Sequence, residues 1–325
     1  MILGNASANI VKVYDFPIAI MRQYAERFFT LFFLNIHLYL QSWHKCLSAA
    51  NVRSWNYFHK TFCFSPISLI MQIHEFERGL QGRVAIITGA AVGNGRAFCE
   101  RLAEEGAIIV IADIADASET VKAAEAIGAR VLSLKVDATN PQDVQQMAQT
   151  VLKEFGRIDI LVHNVGKYEE EPFELLSFDQ WRQMLDLNLN SLFLTTKAVL
   201  PAMKEKGFGR IIALSSDTVW LGTPYLTHYV TAKMGVIGFV RSLASEVGKY
   251  GITANAITVG LTAIQRPEQG GRVSSSILEH ILPTQSVQRG DEPHDIANVV
   301  TFLALPASGI INGQTLNVDG GVARH

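Results

Sequence analysis

The chain has 325 residues, 48% of them hydrophobic and 18% charged, with a formal charge of −2. That composition supplies a large buried core and excludes a disordered chain, and the near-neutral charge gives no electrostatic reason to expect a nucleic-acid partner. Three cysteines (Cys46, Cys63, Cys99) are odd in number and lack ligand spacing, and the nine histidines form no H-E-x-x-H or similar cluster. No disulfide framework and no metal site is therefore expected, and a reducing, cytoplasmic setting is the default.

In chain order, residues 1–70 come first, irregular and aromatic-rich, with six Lys or Arg against Asp15 and Glu26. Their most apolar window, FFTLFFLNIHLYL, is interrupted by Asn35 and His37 and preceded by Arg27. It falls short of the roughly 18–20 apolar residues of a membrane span, and the layout of a secretory signal is absent. Three readings stand: an extension outside the working protein, a basic targeting or membrane-surface segment, or helices packed on the domain formed by the rest of the chain. Met71 stands where a doubly wound domain would naturally begin, so the expected division is an extension over 1–70 and a catalytic domain over 71–325.

Beyond Met71 the character changes to short β-branched runs alternating with longer helical patterns. Strands are expected at RVAIIT, AIIVIAD, RVLSLKVD, IDILVHN, RIIALSS, ITANAI and QTLNV. Continuous apolar strands separated by amphipathic helices predict an α/β fold of the Rossmann-like, doubly wound kind: a parallel sheet of about seven strands with helices on both faces.

The first strand–helix–strand unit reads RVAIITGAAVGNGRAFCERLAEEGAIIVIAD. Gly89, Gly93 and Gly95 follow T-G-x-x-x-G-x-G spacing. Residues without a Cβ let the backbone approach a pyrophosphate, and Asn94 lies at the N-terminus of the next helix, where negative charge is favoured. Asp113, closing the second strand, can accept hydrogen bonds from an adenosine ribose diol and would repel a 2′-phosphate, which favours NAD over NADP. The plainer alternative is that Asp113 starts a turn.

Further along come Asp137 after the third strand, HNVG at 163–166, Asn188, Ser216, Tyr229 followed four residues later by Lys233, and a terminal VDGG. In this order and spacing the chain resembles the short-chain dehydrogenase/reductase family over about residues 78 to 325. The resemblance implies an NAD(H)-dependent oxidoreductase that interconverts an alcohol and its aldehyde or ketone. Tyr229 would be the general acid/base, Lys233 would lower its pKa and bind the nicotinamide ribose, Ser216 would hold the substrate oxygen, and Asn188 would anchor a water linking Lys233 to solvent. Asp137 would approach the adenine, and Asn164 and Gly166 would line the adenosine side of the cofactor. Leu261 and Thr262 would lie in the loop that contacts the nicotinamide carboxamide. Physical chemistry agrees with the central pair: a free Tyr titrates near pH ~10, and an adjacent ammonium favours its phenolate.

The departures are local. His163-Asn164-Val165-Gly166 stands where the family has Asn-Asn-Ala-Gly, Gly93-Asn94-Gly95 where Gly-Ile-Gly is usual, and Val259-Gly260 where Pro-Gly is usual. Val92, before the second glycine, is not the basic residue of NADP-preferring relatives, whereas Arg96 is a guanidinium that can reach a phosphate. Trp220, Leu221, Tyr225, Tyr168 and Phe173 suggest a compact aromatic or hydrophobic substrate, with residues 261–283 as a mobile lid. The resemblance is stronger still to NAD-linked members that oxidise an alcohol attached to an aromatic ring. It also implies a homo-oligomer, tetramer or dimer, burying the two long helices that carry Asn188 and Tyr229–Lys233. The competing readings are a 3-oxoacyl-thioester reductase of fatty-acid type, a non-catalytic dinucleotide-binding regulator, and a sugar-nucleotide epimerase.

Overall fold

The structure, a computed structural model, describes residues 79–262 and 282–324. The stretch 1–70 and residues 263–281 of the expected lid lie outside the described residues.

All seven expected strands form, and they make one parallel sheet. The elements in chain order are β1 (Val84–Thr88), α1 (Gly93–Glu104), β2 (Ile108–Asp113), α2 (Ser118–Ala126), β3 (Val131–Lys135), α3 (Pro141–Phe155), β4 (Ile160–His163) and α4 (Phe178–Leu185). A π-helical turn over Asp186–Asn190 leads into α5 (Ser191–Lys206), then β5 (Gly209–Ser216), the single-turn α6 (Thr218–Leu221), α7 (Thr227–Val247), β6 (Ile252–Val259), α8 (Pro293–Ala304) and β7 (Thr315–Val318). The sheet order is β3-β2-β1-β4-β5-β6-β7.

Alternation along each strand feeds two cores. Val84 and Ile86 of β1 pack with α3, α5 and α7 on one face, while Ala85 and Ile87 pack with α1, α2 and α8 on the other. Because both faces are covered, β1 is fully buried and reads as an unbroken apolar run, not as apolar–polar alternation. Local signals fix the helix ends. Asn140 accepts from the amides of Gln142 and Asp143 ahead of Pro141, and Ser177 and Gln180 form a capping box on α4.

The order places the site. From β1 the chain winds outward through β2 and β3, then returns to β4 on the other side of β1. Between the C-terminal ends of β1 and β4 the connections diverge, opening the crevice in which such sheets bind ligands.

Candidate active site

The turn after β1 is built for close approach. Gly89 and Gly93 have φ of 63° and 61°, conformations that a side chain would strain. Gly95 has a different reason for lacking a side chain: a Cβ there would stand 2.2 Å from the carbonyl oxygen of Gly89, so this glycine lets α1 pack onto its own turn. The Asn164 side chain donates to that same carbonyl at 2.7 Å, and its amide donates to Thr88 Oγ1 at 3.1 Å, so the loop after β4 is tied to the loop after β1.

Two features suit an anionic ligand at this place. The helix α1 starts at Val92 in extended conformation with no side-chain cap, leaving its first amides to a ligand or to water. The Asn94 Oδ1 atom is buried with no hydrogen-bond partner. The dinucleotide cradle expected from the sequence therefore fits the residues present. Asp113 accepts from the amide of Ala91 at 2.8 Å with one oxygen and from that of Ala115 at 2.9 Å with the other. It both starts the next turn and braces the Gly-rich one, and each carboxylate oxygen keeps a lone pair for a ribose hydroxyl. Asp137 accepts from the amide and hydroxyl of Thr139, closing the turn after β3. Arg96 is paired with Glu100 at 2.8 Å.

The second constellation gathers around Lys233. It is 4% exposed, and its Nζ donates to the carbonyl of Leu214 in β5 at 3.0 Å. Burial pushes its pKa down to about 8. A Cβ on Gly166 would lie 2.6 Å from Asn188 Oδ1 and 3.1 Å from Lys233 Nζ. Three residues far apart in sequence thus meet at one point, and Gly166 lacks a side chain because Asn188 and Lys233 fill the space. Asn188 sits within the π-helical turn, a local widening often found at functional sites. Its amide is held by Lys167 at both ends: Nδ2 donates to the Lys167 carbonyl at 3.1 Å, and Oδ1 accepts from the Lys167 amide at 3.2 Å.

Tyr229 lies one helical turn before Lys233, with Nζ 5.7 Å from the ring centroid. Tyr168 meets its edge in a T-shaped contact at 5.5 Å. Ser215 Oγ donates to the Lys233 carbonyl at 2.8 Å, so the end of β5 is fastened to α7, and Ser216 is the last residue of that strand. Ser216 donates to Asp217 Oδ1 at 3.3 Å and accepts from the Thr218 hydroxyl at 2.9 Å. Thr262 belongs elsewhere in the crevice: it pairs with Asp291 in a lone parallel bridge, and its hydroxyl turns toward the Gly260 carbonyl.

Exposed apolar side chains stand on the connections after β4 and β5. Tyr168, Phe173, Leu221 and Tyr225 are exposed, and Tyr225 is the one non-glycine residue with positive φ among those described. Its carbonyl accepts from the Glu171 amide at 2.8 Å, joining the loop after β4 to the start of α7.

Sequence reasoning misses two groups. His163, in the sequence only a packing departure, is the hub of a hydroxyl cage made by Thr88, Ser191 and Thr195. Asp217 carries no motif of its own; its only signal is adjacency to Ser216.

The family comparison agrees with this geometry. The chain matches the family model described as enoyl-(acyl carrier protein) reductase over residues 89–323. It is 41% identical over 246 residues to the (2S)-[(R)-hydroxy(phenyl)methyl]succinyl-CoA dehydrogenase subunit BbsD of Thauera aromatica, covering 75% of this chain and 97% of that one. It is 35% identical over 247 residues to the 3-oxoacyl-[acyl-carrier-protein] reductase FabG of Haemophilus influenzae, covering 75% and 99%. Among solved structures, a putative short-chain alcohol dehydrogenase from Sinorhizobium meliloti superposes with a TM-score of 0.71 at 28% identity, covering 75% of this chain and 97% of that one. The doubly wound sheet and these relatives define a dinucleotide-dependent oxidoreductase. The chain belongs to the short-chain dehydrogenase/reductase family.

Proposed function

We propose that this protein is an NAD(H)-dependent dehydrogenase that interconverts a compact aromatic or hydrophobic alcohol and its aldehyde or ketone. The observation that carries the reading is the buried ammonium of Lys233, held one helical turn from Tyr229 and walled in by Gly166 and Asn188. A cation fixed there has a use only if it stabilises an anion or binds a ligand hydroxyl, because burying it is otherwise unfavourable.

Nicotinamide dinucleotide, when bound, supplies the hydride acceptor or donor. Gly89, Gly93, Asn94 and Gly95 with the open end of α1 would hold its pyrophosphate, Asp113 the adenosine ribose, and Asp137 the adenine. Asn164 and Gly166 would line the adenosine side, Tyr229 and Lys233 the nicotinamide ribose, and Thr262 the carboxamide. The Tyr229 phenolate takes the proton of the alcohol, Lys233 favours that phenolate, and Ser216 holds the oxygen on which charge changes. Asn188 fixes the wall behind Lys233, through which a water would link the ammonium to solvent. Asp113 supports NAD over NADP by repelling a 2′-phosphate, and the engagement of Arg96 with Glu100 weakens the opposing argument.

A second reading, reduction of a 3-oxoacyl thioester, is supported by the names of several relatives. The hydroxy(phenyl)methyl group in the name of the Thauera relative joins the two readings, being an alcohol on a carbon that carries an aromatic ring within a CoA thioester. Turnover of secondary benzylic alcohols and of a 3-hydroxyacyl-CoA, each with NAD and NADP, separates them. Tyr229→Phe is expected to lower kcat about 10²–10⁴-fold on the best substrate. Undiminished turnover in that variant rules out Tyr229 as the acid/base, and a silent panel favours the regulatory reading. The exposed Phe193 on α5 and Met234 on α7 support assembly of a dimer or tetramer through these helices, which light scattering of the protein tests. Among the described residues no helix is long and apolar enough to cross a membrane, which is compatible with a cytoplasmic location.

A further inference from the structure

Three carboxylates from three chain segments gather beyond the C-terminal ends of β5, β6 and β7, around the peptide of Val259 and Gly260. The Asp217 amide donates to the Val259 carbonyl at 3.1 Å, and the Gly260 amide donates to the Val318 carbonyl at 3.0 Å, next to Asp319. A Cβ on Gly260 would stand 2.5 Å from Asp291 Oδ2 and 2.9 Å from Asp319 Cα.

The three are not equivalent. Asp319 is satisfied, accepting from the amides of Gly321 and Ala323 at 2.9 Å each. Asp291 is 5% exposed, and its Oδ2 is buried with no hydrogen-bond partner. The nearby cation, Arg289, spends its guanidinium on Asp295 at 2.6 Å. Among the described residues no group of three His, Cys, Asp or Glu has the geometry to hold a metal ion, so protons are left to relieve the charge. Asp217 is pushed up to about 6 by burial and then by Asp319. Asp291 is also raised to about 6, by burial and then by Asp295, Asp319 and Asp217, with Arg289 opposing.

Asp217 is also the acceptor for Ser216, which has one hydroxyl proton to give. A carboxylate is a stronger acceptor than a neutral carboxyl or a ketone oxygen, so an ionised Asp217 keeps that proton away from the substrate. On the element facing β5, Lys233 donates to the Leu214 carbonyl, and Tyr229 lies one turn before it.

We propose that Asp217 is a positioning residue: its carboxylate competes for the Ser216 proton, and the crowding of Asp291 and Asp319 around it sets when that proton is released toward the substrate oxygen. The inference rests on the reading of Ser216 as the group that holds that oxygen. In carbonyl reduction Ser216 acts as a donor, so protonation of Asp217 raises the rate and its ionisation lowers it.

The test is the pH profile of kcat/KM for reduction of the best ketone of the panel by NADH, from about pH 5 to about pH 9. The intact protein should show a limb near the Asp217 titration. Asp217→Asn should lose that limb and keep the acid-side rate at higher pH. Asp291→Asn removes a like charge coupled to Asp217, lowers the pKa of that neighbour, and should move the limb to lower pH. A limb unchanged in Asp217→Asn overturns the proposal. A measurement without turnover accompanies it: carbon-13 NMR of the aspartate carboxyls should show the Asp217 midpoint rising in Ser216→Ala, because a bond to the charged form has been removed. An unmoved midpoint also overturns it. Tyr229→Phe, run alongside, keeps the two failures apart: turnover lost there with the limb intact in Asp217→Asn sinks only the positioning role, whereas full turnover in Tyr229→Phe sinks the acid/base reading.

Discussion

At the scale of single residues, Lys233 and His163 show opposite answers to burial. Burial and the nearby Lys233 ammonium push His163 down to about 3, so its imidazole stays neutral across the working range. The hydroxyl bonds assign its tautomer: Ser191 gives its proton to the Leu187 carbonyl and Thr195 gives its own to the Ser191 carbonyl, so His163 Nε2 must donate to Ser191 and Nδ1 accepts from Thr88. The family asparagine is thereby replaced by a side chain that also offers one donor and one acceptor. Lys233 stays charged at neutral pH and is therefore a stability burden. Its folded pKa lies near 8, below the ordinary value of 10.5. Below about pH 8 both folded and unfolded chains hold the proton and the burial penalty is fully felt; between the two values only the unfolded chain holds it, and stability rises with pH. Lys233→Met should therefore stabilise the fold by about 1–3 kcal/mol near pH 7 and abolish turnover, the gain shrinking toward about pH 10. Denaturant titrations at the two pH values check this, and a variant less stable at the lower pH would show the ammonium to be structural.

At the scale of elements, legibility in the sequence followed whether a feature is carried by contiguous residues. Each strand is a run of β-branched and apolar residues bounded by polar turns, so all seven could be read, as could the Gly-rich turn and the i,i+4 pair on α7. The π-helical turn could not, because DLNLN has no composition that separates it from an ordinary helix. The carboxylate group could not either, since Asp217, Asp291 and Asp319 meet only when the ends of three strands are aligned. For α1, sequence and structure agree on an end left open. Val92 occupies its N-cap position with φ −147° and ψ 173° and offers no acceptor, although that conformation suits Ser or Asp. Val92→Asp should stabilise the free protein by about 0.5–2 kcal/mol, as N-caps do. It should also weaken dinucleotide binding, since the new carboxylate would occupy the amides and repel phosphate. Thermal unfolding and NADH fluorescence titration measure the two effects, and unchanged affinity would mean that the pyrophosphate does not sit on α1.

At the scale of the whole molecule, the described residues carry two hydrophobic cores. Both begin at the start of the sheet, with Leu80 and Val84, and are built from the seven strands and all of the helices α1 to α8 except α4. Length agrees: the Thauera and Haemophilus relatives are matched over 97% and 99% of their own chains by 75% of this one. A fold gains its stability from the apolar area it buries, and additions at one end change little unless they bury more. We therefore propose that residues 71–325 form the working domain and that 1–70 are an addition to it. A chain beginning at Met71 should unfold cooperatively at the same denaturant midpoint as the full chain, within about 1 kcal/mol in stability, and bind NADH with the same affinity. Equal affinity with a lower midpoint would place residues 1–70 among the packing elements. Loss of both would mean that the first 70 residues complete the domain, and a shift from vesicle-bound to free protein, with folding and affinity intact, would instead identify them as a membrane-surface segment.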